Sequence, residues 1–263
     1  MRKYVVIYRS VLMENLQYTA NIAMGFISYF ILIFVFINLW DYMYAAQGDL
    51  IAGYTKEQMI WYVMITEMIW FGARSSTVRQ QVSTDIRGGN IAYLVNKPYR
   101  YPLFILAKFT GEWNIQLPMY AVLTTVIGVT MVGEIPHFHP ATLLAVVPCI
   151  MLGVTIHAVF KICISMLSFW IEDANPFQWL YDKLILVVGT IFPVEIFPAA
   201  LQPVLKLTPI YTVCYGPAKL LVDFSAEKYL EILFAQVLYL AVGCGIMFLI
   251  YERGGKKLYV NGG

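Results

Sequence analysis

Apolar and polar positions in this chain alternate on the scale of whole helices. Residues 15–40 carry no charge, 59–72 carry only Glu67, 113–133 carry none, and 141–169 carry only Lys161. About 20 apolar residues at a rise of 1.5 Å each cross a bilayer core. These four runs therefore predict helices 1 to 4, the second short and the fourth long enough to tilt, with Pro148 as a candidate kink. Beyond Phe177 the pattern changes. Asp182, Lys183, Glu195, Lys206 and Lys219, with prolines at 193, 198, 203, 209 and 217, cut it into apolar runs of about ten to twelve residues, too short for ordinary crossings. Such runs suit re-entrant segments whose freed backbone groups are satisfied by protein or water. Residues 177–192 are read as helix 5, 193–222 as two half-helices dipping back from the outer face, and 232–251 as helix 6. At the start, Tyr4, Val5, Tyr8, Val11, Leu12 and Leu16 share one helical face among Arg2, Lys3 and Arg9. Residues 1–17 are either an interfacial helix on the inner leaflet or a plain positive anchor.

The fold class predicted is an all-α integral membrane protein: one domain over 1–263, six transmembrane helices, an N-terminal interfacial helix and an outer re-entrant hairpin at 193–222. Composition agrees, at 60% hydrophobic, 13% charged and a mean hydropathy of +0.67. A net charge of +2 gives no footing for nucleic acid. Its placement reports orientation. The polar island 74–108 holds Arg74, Arg79, Arg87, Lys97, Arg100 and Lys108 against the single acid Asp85, so the positive-inside bias keeps it cytosolic and puts both termini there too.

Catalytic constellations are missing from the sequence. Gly254-Gly-Lys-Lys257 lacks the spacing of a phosphate loop, so the chain does not hydrolyse ATP in that way by itself. His137 and His139, near Glu134, are a weak metal pair. Cys149, Cys163, Cys214 and Cys244 read as buried thiols. Glu67, an ionisable group at middle depth, either lines a path or an intersubunit contact, or is a locally satisfied structural residue; Lys161 is expected to snorkel to the cytosolic headgroups, and Asp182 to pair with Lys183. Within the island, Gly88-Gly89 supplies positive φ, Asn90 caps a short helix, and Pro98 closes it. Ile91, Leu94 and Val95 give that helix one apolar face, which packs either in a partner's groove, with Asp85, Arg87 and Arg100 at the rim, or on the chain's own helix ends.

These residues resemble the export permeases of type-2 ABC transporters. The pattern Asp85-Ile86-x-x-Gly89-x-Ile91-x-x-x-Val95-x-x-Pro98 is similar to the family's coupling segment (82–98, including Arg87, Gly88, Asn90 and Leu94). Gly189-x-x-x-Pro193-x-x-x-x-Pro198, followed by Leu207-Thr208-Pro209 and Tyr211, is similar to its outer hairpin. The resemblance implies a half-size bacterial permease in the cytoplasmic (inner) membrane. It would pair with a second, identical or related permease and with separate ATPase subunits that carry the ATP and Mg. It would export a hydrophobic or amphiphilic substrate such as a drug, cationic compound, lipid or peptide. The path residues it suggests are Phe26, Tyr29, Phe30, Phe34, Trp61, Glu67, Trp70, Phe192 and Pro193, with Pro193, Pro198 and Pro209 shaping the hairpin. Glu67 and Glu112 make the chain more polar than a pure lipid conduit. Two competing readings are an ion-coupled secondary transporter using Glu67 and the broken fifth helix, and a lipid-modifying enzyme using Glu134, His137 and His139.

Overall fold

A computed structural model describes residues 2–17, 19–75, 77–136 and 138–261. Among them the chain is helical, without a strand. The first helices are α1 (Arg2–Gln17), α2 (Thr19–Gln47) and α3 (Lys56–Gly72). A π turn, Thr77–Gln81, leads into α4 (Val82–Arg87), α5 (Asn90–Val95) and α6 (Tyr101–Met131). Next come α7 (Leu143–Met166) and α8 (Asn175–Ile185), which runs on into a π turn at Leu186–Ile191. The last elements are α9 (Gln202–Lys206), a π turn at Tyr211–Tyr215, α10 (Gly216–Val222) and α11 (Ala226–Asn261).

Among the described residues four stretches are long and apolar enough to span a bilayer: Met24–Gln47, Tyr101–Met131, Pro140–Phe169 and Ala226–Lys257. The protein is thus an all-α, multi-pass membrane protein. The outer faces of α2 and α11 are apolar, with Ile31, Phe34, Phe234 and Leu249 exposed, as hydrocarbon contact requires. The shorter α3 is apolar all round and is enclosed by α2, α6, α10 and the π turn after α8. It is started by a capping box: Thr55 accepts from the Gln58 amide while the Gln58 side chain accepts from the Thr55 amide. At residue 128 of α6 the indole of Trp61 lies so close that a Cβ there would sit 2.1 Å from it, so only glycine fits.

Contacts sort the connections into two ends. At one end Lys3 donates to the Pro98 carbonyl, the Arg100 amide donates to Tyr4 (2.9 Å), Arg87 pairs with Asp173 (3.6 Å), and Arg100 lies over Phe248 of α11. At the other, Trp61 donates to the Gly133 carbonyl (3.2 Å), Tyr54 to Glu195 (3.1 Å) and Gln58 to the Val222 carbonyl (3.4 Å). The basic island, the loop after α7, the start of α1 and the C-terminal half of α11 therefore share one end of the bundle.

Several boundaries and pairings differ from the sequence reading. α6 begins at Tyr101, three turns before Trp113, because its polar residues find company inside the bundle: Lys108 donates to Gln81 (2.7 Å) and Glu112 is buried. α11 likewise starts at Ala226 and α2 runs on to Gln47. Lys161 does not snorkel; it is buried and pairs with Asp182 at 3.0 Å. Asp182 therefore does not pair with Lys183, since neighbours on a helix point about 100° apart; Lys183 instead lies over the Trp179 ring. α6 and α7 run unbroken through Pro118 and Pro148. The first half of the hairpin is only a 3-10 turn, Val194–Ile196, and the single-turn α9. α1 is docked along α6, where Gly111 admits the Tyr8 carbonyl and Val11.

Candidate functional site

Three features of the bundle bear on function. The first is the elbow between α3 and α6. Gly89 takes φ +75°, a left-handed conformation that favours glycine, whereas Gly88 stays at −79°. Gly89, not Asn90, flanks the start of α5, and the Asn90 side chain makes no capping bond; that is a shift of one residue from the sequence reading. Ile86 and Ile91 are buried and Leu94 and Val95 half-buried, so the apolar face folds back onto the chain's own helix ends. Asp85 is likewise not at an open rim, because it accepts a hydrogen bond from Tyr101 (2.8 Å) and so fixes α4 to the start of α6. Left outward are Arg87, Gly88, Gly89, Asn90, Tyr93 and Pro98, with Tyr93 66% exposed. Lys97 folds over the Tyr93 ring and bonds its hydroxyl. Ser83 meets Ser168 (3.3 Å) and Ser165 donates to the Val78 carbonyl (3.0 Å), so the elbow is also tied to the end of α7.

The second is a half-open cavity of about 840 Å³ bounded by α2, α3, α6, α7 and α8, near the elbow end. Glu67 and Trp70 line it, as do Arg74, His157, Lys161, Asp182, Lys183 and Trp179. Glu67 is fully buried beside the Thr190 hydroxyl, which donates instead to the Leu186 carbonyl (2.7 Å), so among the described residues neither Glu67 oxygen receives a donor, and His157 Nδ1 has no partner either.

The third is the outer hairpin with its anchors. Tyr62 donates to the Gly189 carbonyl (3.3 Å) and Thr66 to the Thr190 carbonyl (2.9 Å), so α3 satisfies the groups that the π turn frees. Gln236, fully buried on α11, donates to the carbonyls of Cys149 (2.8 Å) and Thr212 (2.9 Å), joining α7 to the π turn at Tyr211–Tyr215. Glu195 accepts from Tyr54 (3.1 Å) and Tyr215 (2.5 Å) with Lys219 at 3.7 Å, and Lys219 also stacks on the Tyr54 ring. Burial, and after it the Glu195 carboxylate, push the Tyr54 phenol well above its ordinary range. The Lys228 ammonium bonded to Asp223 (2.6 Å), with Lys219 behind it, holds that carboxyl below the usual carboxylate range.

The structure distributes the aromatic path candidates widely. Tyr29 is fully buried in helix packing, bonded to Thr124 (2.6 Å) and the Met64 carbonyl (3.0 Å), and Trp61 packs on α6. Phe26 meets Tyr120 edge-on, while Phe30 and Phe34 stack on the exposed face of α2. Phe192 is half-buried and Pro193 buried at the far end, where Pro198 is exposed and Pro209 half-buried. His139 accepts from the Ala141 amide (3.2 Å) to start a turn, and His137 lies outside the described residues. Among the described residues no three metal-ligating side chains gather; Cys149, Cys163 and Cys214 are buried free thiols, whereas Cys244, also free, is only half-buried on α11.

Sequence reasoning missed Tyr62, Thr66, Tyr101, His157 and Gln236. The last two carried a readable signal, since a lone amide or imidazole in an apolar helix needs a partner or a cavity. A family model described as "ABC-2 family transporter protein" matches residues 12–262. No curated protein matches the chain.

Proposed function

From the premise that the chain belongs to the ABC-2 family of transporter proteins, and so is the membrane permease of an ABC transporter, we propose that it serves an ATP-driven exporter of a bacterial cytoplasmic membrane. In this reading α2, α3, α6, α7, α8 with its π turn, and α11 make six crossings, and α1 lies at the inner face. Both termini and the island are cytosolic, which the sorting of contacts into two ends supports. A second permease, identical or related, completes the path for a hydrophobic or amphiphilic substrate. Separate ATPase subunits bind ATP and Mg and press on the elbow.

The observation that carries this reading is the elbow's double character. Its outer side exposes Arg87, Gly88, Gly89, Asn90 and Tyr93 to a partner, while the same 14 residues from 85 to 98, with Ile91 buried among them, are bonded to α1, α6 and, through Arg87 itself, the loop after α7. A load applied there reaches two helices and the loop between α7 and α8 at once. ATPases that close on ATP would then shift a two-state membrane pair by binding one state better. The test is co-purification with the partner ATPase and ATP-dependent transport by the reconstituted complex. Arg87→Glu with Tyr93→Ala should release the ATPase and lower transport about tenfold or more, with insertion and thermal stability kept. An ATPase that stays bound to this double variant sinks the docking assignment. The ion-coupled reading draws on the unpartnered Glu67 carboxylate; transport that persisted without any ATPase would favour it.

A further inference from the structure

The cavity beside α3 is built unlike the rest of the bundle. Voids left by imperfect packing are apolar and dry; this one, about 840 Å³, has charged groups at both levels. On its floor, among the described residues, no donor is committed to either Glu67 oxygen, the adjacent Thr190 hydroxyl being spent on the Leu186 carbonyl, and His157 Nδ1 is without a partner, both residues at least 97% buried. Buried polar atoms in this state are uncommon and call for an occupant that bonds them. At its rim stand Arg74 and Lys183, both exposed. Among the described residues neither has a carboxylate within ion-pair distance, and each lies over a ring, Arg74 on Phe71 and Lys183 on Trp179. Lys161 and Asp182 cancel one another between rim and floor.

The lining therefore carries three cations against two acids, with the unopposed positive charge at the mouth. An organic cation entering there meets repulsion first, while a phosphate meets two donors suited to it, one of them a guanidinium fork. The volume matches a drug-sized headgroup and not a single ion. On one flank, α8 exposes Leu180 and Leu184 and the π turn after it Val187, next in sequence to the lining residues Trp179, Lys183 and Leu186, a surface along which an acyl chain could lie.

We propose that this cavity binds a phosphate-bearing amphiphile, its phosphate held by Arg74 and Lys183 and the hydroxyl or amine donors of its headgroup satisfying Glu67 and His157. The proposal rests on the transport reading for its consequence, that the bound molecule is cargo, and it narrows the substrate from any amphiphile to an acidic one taken from the elbow side of the membrane.

The test is native mass spectrometry and thermal-shift titration of the purified full-length chain, without ATPase or nucleotide, in phosphatidylcholine nanodiscs doped with phosphatidylglycerol. Phosphatidylglycerol should be retained selectively. Arg74→Gln with Lys183→Gln should weaken that retention about tenfold or more, whereas Arg9→Gln, away from the cavity lining, should leave it unchanged. Glu67→Ala, which removes the floor acceptor, should lower the preference for a hydroxylated headgroup over phosphatidic acid. Retention undiminished in the Arg74/Lys183 variant, with that variant folded by its melting curve, overturns the site. Soluble glycerol phosphate that saturates the chain as tightly as the lipid overturns its assignment to a membrane amphiphile. Because no ATPase is present, loss of the elbow's partner does not affect this measurement, and a failed lipid site leaves the elbow reading where it stood.

Discussion

Single side chains in this protein matter mainly as donors to carbonyls that irregular helices release. Gln236 is the plainest instance, because its one amide nitrogen serves both Cys149 and Thr212 in a wholly buried place. Gln236→Leu keeps the volume and removes both bonds, leaving two acceptors unmet at about 1–3 kcal/mol each at most. A melting point several degrees lower in detergent is expected, with the chain still inserted; an unchanged melting curve rejects the bracing role. Glu67 and the Gly89 turn were readable from residue type alone, one as an acid in an apolar run and the other as a glycine pair after a helix. Asp85 was misplaced at the rim because nothing in the order of residues announces that Tyr101 returns to it from sixteen positions away.

Elements were legible where apolar runs were long and poorly legible where charge was taken as punctuation. Lys108 and Glu112 seemed to hold back the start of helix 3 to Trp113, yet α6 begins at Tyr101 and runs through them because the bundle supplies polar neighbours. The hairpin's broken character was readable from its prolines, but not the π turns before and within it, the first held by hydroxyls from α3 and the other by the Gln236 amide of α11. The tight seam between α3 and α6 was equally invisible, since it needs the pairing of Trp61 with Gly128 across two helices. Gly128→Leu should force the indole aside and cost about 1–3 kcal/mol through overpacking. Adding Trp61→Leu should recover part of that loss in thermal unfolding, and a Gly128→Leu protein as stable as the parent rejects the seam.

For the molecule as a whole, the distribution of Lys and Arg foretold which connections share an end, and the contacts of Tyr4, Arg87 and Arg100 agree with it. What no charge count foretold is the ionic lattice at the opposite end, where Lys219, Asp223, Lys228 and Glu195 fasten the hairpin to α11. Asp223 is held below its ordinary range by Lys228 and then Lys219. A carboxyl depressed in the folded state adds stability above its unfolded value of about 3.9 and loses it as pH falls through the folded one. Melting points of the parent and of Asp223→Asn should therefore differ by a constant, small amount at neutral and mildly acidic pH and converge only in stronger acid. A gap that opened on acidification would contradict the assignment. The bonds from Tyr62 and Thr66 to the carbonyls of the π turn after α8 have a mechanical corollary. Sliding that turn along α3 would strand two oxygens in oil, so α3 and the end of α8 must swing together as one stiff lever, with the compliance left to the glycine joint at the far end of α3.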